Sequence, residues 1–79
     1  MEISKTNPKT SIYCHIDIDK RDHVFVSVEA MTAWLLTKYG LSMKEQVQYK
    51  YNGSSYDILV KSKLGDTMRL VGFYYTLNF

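Results

Sequence analysis

Polar and apolar positions alternate strictly from Ile12 to Asp19. Ile12, Cys14, Ile16 and Ile18 fall on one side and Tyr13, His15, Asp17 and Asp19 on the other, the pattern of a half-buried strand. A second alternating run, from His23 to Val26, follows "KRD". The loop length that sets apolar residues opposite apolar residues selects the register of such a hairpin. A loop of Lys20, Arg21 and Asp22 pairs Ile18 with Val24 and Ile16 with Val26, and puts Asp19 opposite His23. The expected result is a bulged hairpin with Asp22 near the left-handed region, which Asp tolerates better than most residues.

The apolar period then becomes helical. Ser27 is placed to cap a helix over 28–39, with Glu29 in its first turn, Lys38 in its last, and Gly40-Leu41 as a Schellman-type stop. At 100° per residue Val28, Met31, Leu35 and Tyr39 form one stripe, flanked by Trp34 and Leu36. The opposite side carries Ala30, Ala33 and Thr37, and Glu29 and Lys38 are the only charges on the helix. A small, uncharged back face permits close approach by another chain. Ala30, Ala33 and Thr37 are therefore one candidate partner surface, and that face or an exposed strand edge is the expected seam of a homodimer.

Three strands are expected next. A type I′ turn at Asn52-Gly53 pairs Tyr51 with Ser54, Tyr49 with Tyr56 and Val47 with Ile58, so aromatic and branched residues meet across the ladder. A second turn at Gly65-Asp66 pairs Val60 with Val71, Ile58 with Phe73 and Tyr56 with Tyr75, building the same apolar face. The alternative for the last segment is a short helix capped by Asp66 before a final strand from Phe73; Gly72 and the aromatic run favour continuous strand. Ser42 and Glu45, at capping-box spacing, mark a single helical turn between helix and strand. The result is an α+β chain in the order ββαβββ. Its antiparallel or mixed sheet carries one helix on one face, over 11–79, after a flexible N-terminal arm over 1–10.

Composition narrows the chemistry. Seventy-nine residues make one domain that buries only about 60% of the surface its unfolded chain exposes. Cys14 is the only cysteine, so neither a disulfide nor a Cys/His zinc quartet supports the fold. A lone cysteine within an apolar alternation suits a reducing compartment. The polar start "MEISKTNPKTS" lacks a signal or membrane span, so the expectation is a cytoplasmic protein away from the membrane. Ten Lys/Arg against eight Asp/Glu leave a net charge of +2, well short of the balance that marks a nucleic-acid binder. Seven tyrosines, three phenylalanines and one tryptophan serve equally as core and as interface.

No catalytic, metal or cofactor motif emerges. The most site-like stretch is "HIDIDKRDH", in which alternation and the expected hairpin gather His15, Asp17, Asp19 and His23. Imidazole with carboxylates is the chemistry of a transition-metal or Mg²⁺/Mn²⁺ nuclease centre, against which stands a solvated strand face beside a charged turn. Cys14 reads as a buried thiol whose apolar surroundings raise its pKa. The outer face of the meander is expected to show Lys50, Lys61 and Lys63 beside Leu59, Met68, Leu70 and Tyr74. Cations interleaved with an aromatic resemble platforms on which nucleic-acid bases stack. The apolar content of that face favours a protein partner instead.

The helix ending at Gly40-Leu41, the following Gln46, the alternating strand and Asn52-Gly53 resemble the middle of a ubiquitin-like domain, and "GLSMKEQVQYKYNG" is similar to that of a PB1-type domain. The resemblance runs over 12–60 and implies a β-grasp-like protein-interaction scaffold. The chain stops at Phe79 without the Gly-Gly of ubiquitin, and it lacks the acidic run of PB1 domains. The functional expectation is a non-enzymatic protein-interaction domain, a small regulator or inhibitor that occludes a larger partner. A nucleic-acid module on the lysine-bearing sheet face is the first alternative, and the metal-dependent nuclease the second.

Overall fold

The computed structural model of the protein describes residues 10–61 and 67–78. Residues 1–9 of the expected 1–10 arm, the turn at Gly65-Asp66 and Lys63 lie outside the described residues, and Thr10, expected in the arm, is instead the first residue of a strand and pairs with Asn78. Helix α1, Val28–Tyr39, has the caps the sequence provides. Ser27 Oγ accepts the Ala30 amide at 3.1 Å. Gly40, at φ 66°, lets the Gly40 and Leu41 amides return to the Thr37 and Leu36 carbonyls at 3.3 and 2.8 Å. A single 3₁₀ turn, Lys44–Gln46, follows. It is closed by Gln46 rather than by Glu45, since Gln46 Oε1 accepts the Ser42 and Met43 amides at 3.0 and 2.8 Å.

The described residues also form five strands: β1 Thr10–Ile16, β2 His23–Phe25, β3 Val47–Tyr51, β4 Tyr56–Lys61 and β5 Met68–Asn78. They form one sheet in the order β2-β1-β5-β4-β3, and every neighbouring pair is antiparallel. The protein is thus α+β with the order ββαβββ. Residues 68–72 are strand, so the short-helix alternative fails. Helix α1 lies on one face, where Met31 and Leu35 meet Ile12, Cys14 and Ile16 of β1, Val47 of β3, Ile58 and Val60 of β4, and Val71 and Tyr74 of β5. The Thr32 and Tyr49 hydroxyls, 2.6 Å apart, tie α1 to β3. Among the described residues no helix covers the other face.

Three registers differ from the sequence expectation. In the first hairpin Cys14 opposes His23, Tyr13 opposes Val24 and Ile12 opposes Phe25, so the connection is longer than Lys20-Arg21-Asp22. Ile18, Val24 and Val26, expected to pair inward, are 74%, 62% and 83% exposed. No described non-glycine residue has positive φ, Asp22 included. The observed register turns His23 and Phe25 toward Trp34, with ring centroids at 4.5 and 5.3 Å. It also brings the Asp19 carboxylate to His23 Nε2 at 2.7 Å and to Lys38 Nζ at 2.8 Å. Cross-strand aliphatic pairs contribute about 0.2–1 kcal/mol each. An aromatic cluster closing the end of the core contributes a few kcal/mol through its buried area, so it wins.

The second hairpin has a longer loop than a type I′ turn. Tyr51 opposes Tyr56, Tyr49 opposes Ile58 and Val47 opposes Val60. The Asn52 amide donates to the Ser55 carbonyl at 2.9 Å, and Asn52 Oδ1 accepts the Ser54 and Ser55 amides at 3.1 and 3.0 Å. This side-chain network is what a longer Asx-type loop offers and a tight turn cannot. The shift is even, so the same side chains face inward. Tyr56 nevertheless remains 37% exposed, because α1 does not reach it.

The third difference changes faces. Tyr56 opposes Tyr74, Asp57 opposes Phe73 and Ile58 opposes Gly72, and a bulge then intervenes before Leu59 meets Leu70. Tyr74 is thereby core, stacked on Tyr56 at 4.9 Å and edge-on to Tyr49 at 5.1 Å, whereas Phe73 and Tyr75 turn outward. Gly72 decides this register. A Cβ there would lie 2.0 Å from the His15 carbonyl oxygen, so β1 and β5 meet at the one position of β5 without a side chain.

Candidate functional site

The open face of the sheet carries the most distinctive chemistry. On it Tyr13 stacks on Tyr75 with centroids 4.9 Å apart and rings 20° from parallel, and His15 stacks on Phe73 at 5.0 Å and 28°. Phe73 and Tyr75 are themselves 6.4 Å apart along β5 and nearly parallel. All four rings stand on β1 and β5, which are adjacent in the interior of the sheet, so the backbone ladder holds them rigidly. They are only half buried. Leu70, 55% exposed, and the partly covered Leu59 extend the surface toward β4, and exposed Val24 extends it toward β2.

Asp22 organises the polar end of this face. It accepts the Tyr13 hydroxyl on Oδ2 and meets His15 Nδ1 with Oδ1 at 2.7 Å, while His15 Nε2 lies 3.4 Å from Asp17. Hydrogen bonds from Tyr13 and His15 hold the Asp22 carboxyl below its usual range. The same bond, with burial and the carboxylate charge behind it, pushes the Tyr13 hydroxyl up to about 12. The Tyr13 hydroxyl is therefore held protonated, as the donor to Asp22.

Asp19 and His23 sit on the opposite side. With Lys38 they form a bonded knot between the first hairpin and the last turn of α1, and the Lys38 ammonium stands 5.1 Å above the Trp34 ring. The sheet thus divides the expected His15/Asp17/Asp19/His23 group into an outer pair and an inner pair. Among the described residues no group of three or more His, Cys, Asp or Glu is arranged to hold a metal ion. Cys14 is fully buried, and desolvation pushes its thiol up to about 11, the reverse of what a nucleophile requires.

The candidate partner residues are distributed unevenly. Lys50, Leu59, Lys61, Met68 and Leu70 do share the open face, as their registers with Asp57, Gln48, Met68, Lys61 and Leu59 require. Tyr74 does not, being 6% exposed in the core, where burial raises its pKa. On α1, Ala33 and Thr37 are exposed and Ala30 is half buried, and the Thr37 hydroxyl is engaged with the Ala33 carbonyl at 3.3 Å. Phe73 and Tyr75, expected on the inward face, stand on the open one, where Tyr13 lies as the alternation of β1 predicts. The signal that finds them is Gly72, the only residue of β5 that the close approach to β1 accepts.

Both knots carry a pH consequence. Lys38 first, and then His23, hold the Asp19 carboxyl low, as Tyr13 and His15 hold Asp22. A depressed folded-state pKa contributes stability that is present above the unfolded value, about 3.9, and lost as pH falls through the folded one. Urea midpoints are therefore expected to hold steady from pH 7 to about 5 and to fall below about 4. Asp19→Asn is expected to lower the neutral midpoint and flatten the acid limb, and an unchanged acid limb in that variant contradicts the assignment.

No known protein family, curated protein or solved structure matches this chain. Among the described residues no helix is long and apolar enough to cross a membrane. The functional reading therefore rests on the chemistry of the surface itself.

Proposed function

We propose that this chain is a non-enzymatic protein-interaction domain that binds through the uncovered face of its sheet. In this reading it is a cytoplasmic regulator or inhibitor that occludes a larger partner, and its likeness to β-grasp domains rests on element order. The observation that carries the reading is the four-ring surface of Tyr13, His15, Phe73 and Tyr75 on a face without a helix. Partly exposed aromatics on rigid strands are what interface anchors require, since they offer large contact area at little entropic cost. The back of α1 offers only small side chains and no anchor.

Stacked, half-exposed rings also favour single-stranded nucleic acid as a second reading. Against it, the carboxylates of Asp22 and Asp57 stand in the same row as Phe73 and repel phosphate. The test is affinity capture from an extract of the source cells with three baits of equal folded content by circular dichroism. These are the wild type, an outer-face variant (Phe73→Ser with Tyr75→Ser) and a helix-back variant (Ala33→Glu with Thr37→Glu). Protein partners are expected to be retained by the wild type and the helix-back variant, and reduced tenfold or more with the outer-face variant. Partners lost only with the helix-back variant overturn the reading.

A further inference from the structure

We propose that the occupant of the open face is a second copy of this chain, packed face to face about a two-fold axis along β5. This rests on the reading of that face as an interaction surface and specifies what it meets. The sheet has β5 at its centre with two strands on either side. One row crosses all of them. Asp22 stands beside β2 with its carboxylate on His15, His15 opposes Phe73, Phe73 opposes Asp57, and Asp57 opposes Lys50.

Rotation about β5 lays this row on itself in reverse. Phe73 then meets the same residue of the second copy, His15 meets Asp57, and Asp22 meets Lys50, each pair occurring twice. The other face-to-face two-fold, with its axis across the strands, sets Asp22 over Asp22 and Lys50 over Lys50, so like charges exclude it. The charge order of the row therefore selects a single self-complementary arrangement, as an isologous interface requires. Stacked sheets lie about 10 Å apart with strand directions within about 30°, and the outer strands of this sheet are about 19 Å apart, four strand spacings of ~4.8 Å. Lys50 and Asp22 then sit at the rim, where such pairs fix register while the central rings supply contact. Lys50 is exposed, opposite Asp57 on the edge strand.

The test is analytical ultracentrifugation of the full chain from about 1 to 500 μM, a range centred on the affinity of ordinary transient contacts. The wild type is expected to form a dimer in that range, and Lys50→Asp and Asp22→Lys are each expected to weaken it tenfold or more. An equimolar mixture of the two variants is expected to recover wild-type association, because the mixed dimer holds two ion pairs again, the native Asp22–Lys50 pair and a second with its signs exchanged. Lys50 is exposed on the edge strand opposite Asp57, so Lys50→Asp is expected to fold with only a modest loss from the like-charge pair, which circular dichroism checks. Should Asp22→Lys unfold, Phe73→Cys replaces it: facing its own copy on the axis across about 10 Å, it is expected to be joined between subunits by a short bismaleimide linker, which Lys50→Cys, standing toward opposite rims, is not. A monomer at every concentration overturns the proposal, as does a dimer indifferent to Lys50→Asp or one cross-linked through Lys50→Cys. Outer-face-dependent capture of a different protein by a strictly monomeric chain also overturns it, while leaving the interaction-domain reading standing. Salt-sensitive oligonucleotide binding by a monomer overturns both.

Discussion

Gly72→Ala is expected to destabilise the protein by about 3 kcal/mol or more. A Cβ at this position falls 2.0 Å from the His15 carbonyl oxygen and 3.0 Å from the Ile16 Cα, both of them backbone atoms. A flexible side chain could swing aside, whereas β1 cannot retreat without breaking the ladder that ends at the Ile16–Gly72 pair and the Asp17 amide's bond to the Val71 carbonyl just beyond it. Small domains hold only about 5–15 kcal/mol in total, so this one methyl group removes a large share. Gly53→Ala is the matched control. Gly53 has φ 106° but nothing within 4 Å of its would-be Cβ, so only conformational strain of about 1–2 kcal/mol applies. Urea unfolding of both variants checks the contrast, and a Gly72→Ala variant no less stable than Gly53→Ala contradicts the β1–β5 register.

Legibility in the sequence followed how far each feature depends on neighbouring residues alone. Helix α1 was readable to its last residue because Ser27, Lys38 and Gly40 act within a turn of the helix end. The order of elements and the inward set of Ile12, Cys14, Ile16, Val47 and Ile58 were readable from period alone. Strand register was not, because it is decided by contacts distant in sequence. The apolar pairing of Ile18, Val24 and Val26 yielded to the Trp34 cluster and to the carboxylate of Asp19 reaching Lys38, a residue on another element. In β5 a one-residue shift exchanged Tyr74 for Phe73 and Tyr75, since alternation in an all-aromatic run is blind to which face is which.

The site was legible to a similar degree. Lys50, Leu59, Lys61, Met68 and Leu70 were placed on the correct face by strand parity within β3, β4 and the first half of β5. Asp19 and His23 were correctly paired but on the wrong side of the sheet, which dissolves the metal-like group. The four-ring surface was hidden because its residues come from opposite ends of the chain, joined only by the β1–β5 ladder. The tyrosine ladder around Asn52-Gly53 is likewise graded: Tyr49 is half buried against α1, while Tyr51 and Tyr56 run out from under the helix.

The aromatic surface exists only if Tyr74 points into the core and Tyr75 out of it, and a pair of truncations measures that directly. Tyr74 is 6% exposed and packed between Tyr49 and Tyr56, so Tyr74→Ala removes a buried ring and leaves a cavity, at a cost of about 3–4 kcal/mol. Tyr75 keeps one flank in solvent and stacks on Tyr13 alone among close partners across the ladder, so Tyr75→Ala is expected to cost about 1 kcal/mol. Both are to be measured by urea unfolding at about 1 μM, where self-association contributes little. A loss for Tyr74→Ala at least twice that for Tyr75→Ala is expected. Equal losses, or the larger loss at Tyr75, would put Tyr75 in the core and remove the aromatic surface on which the proposed function rests.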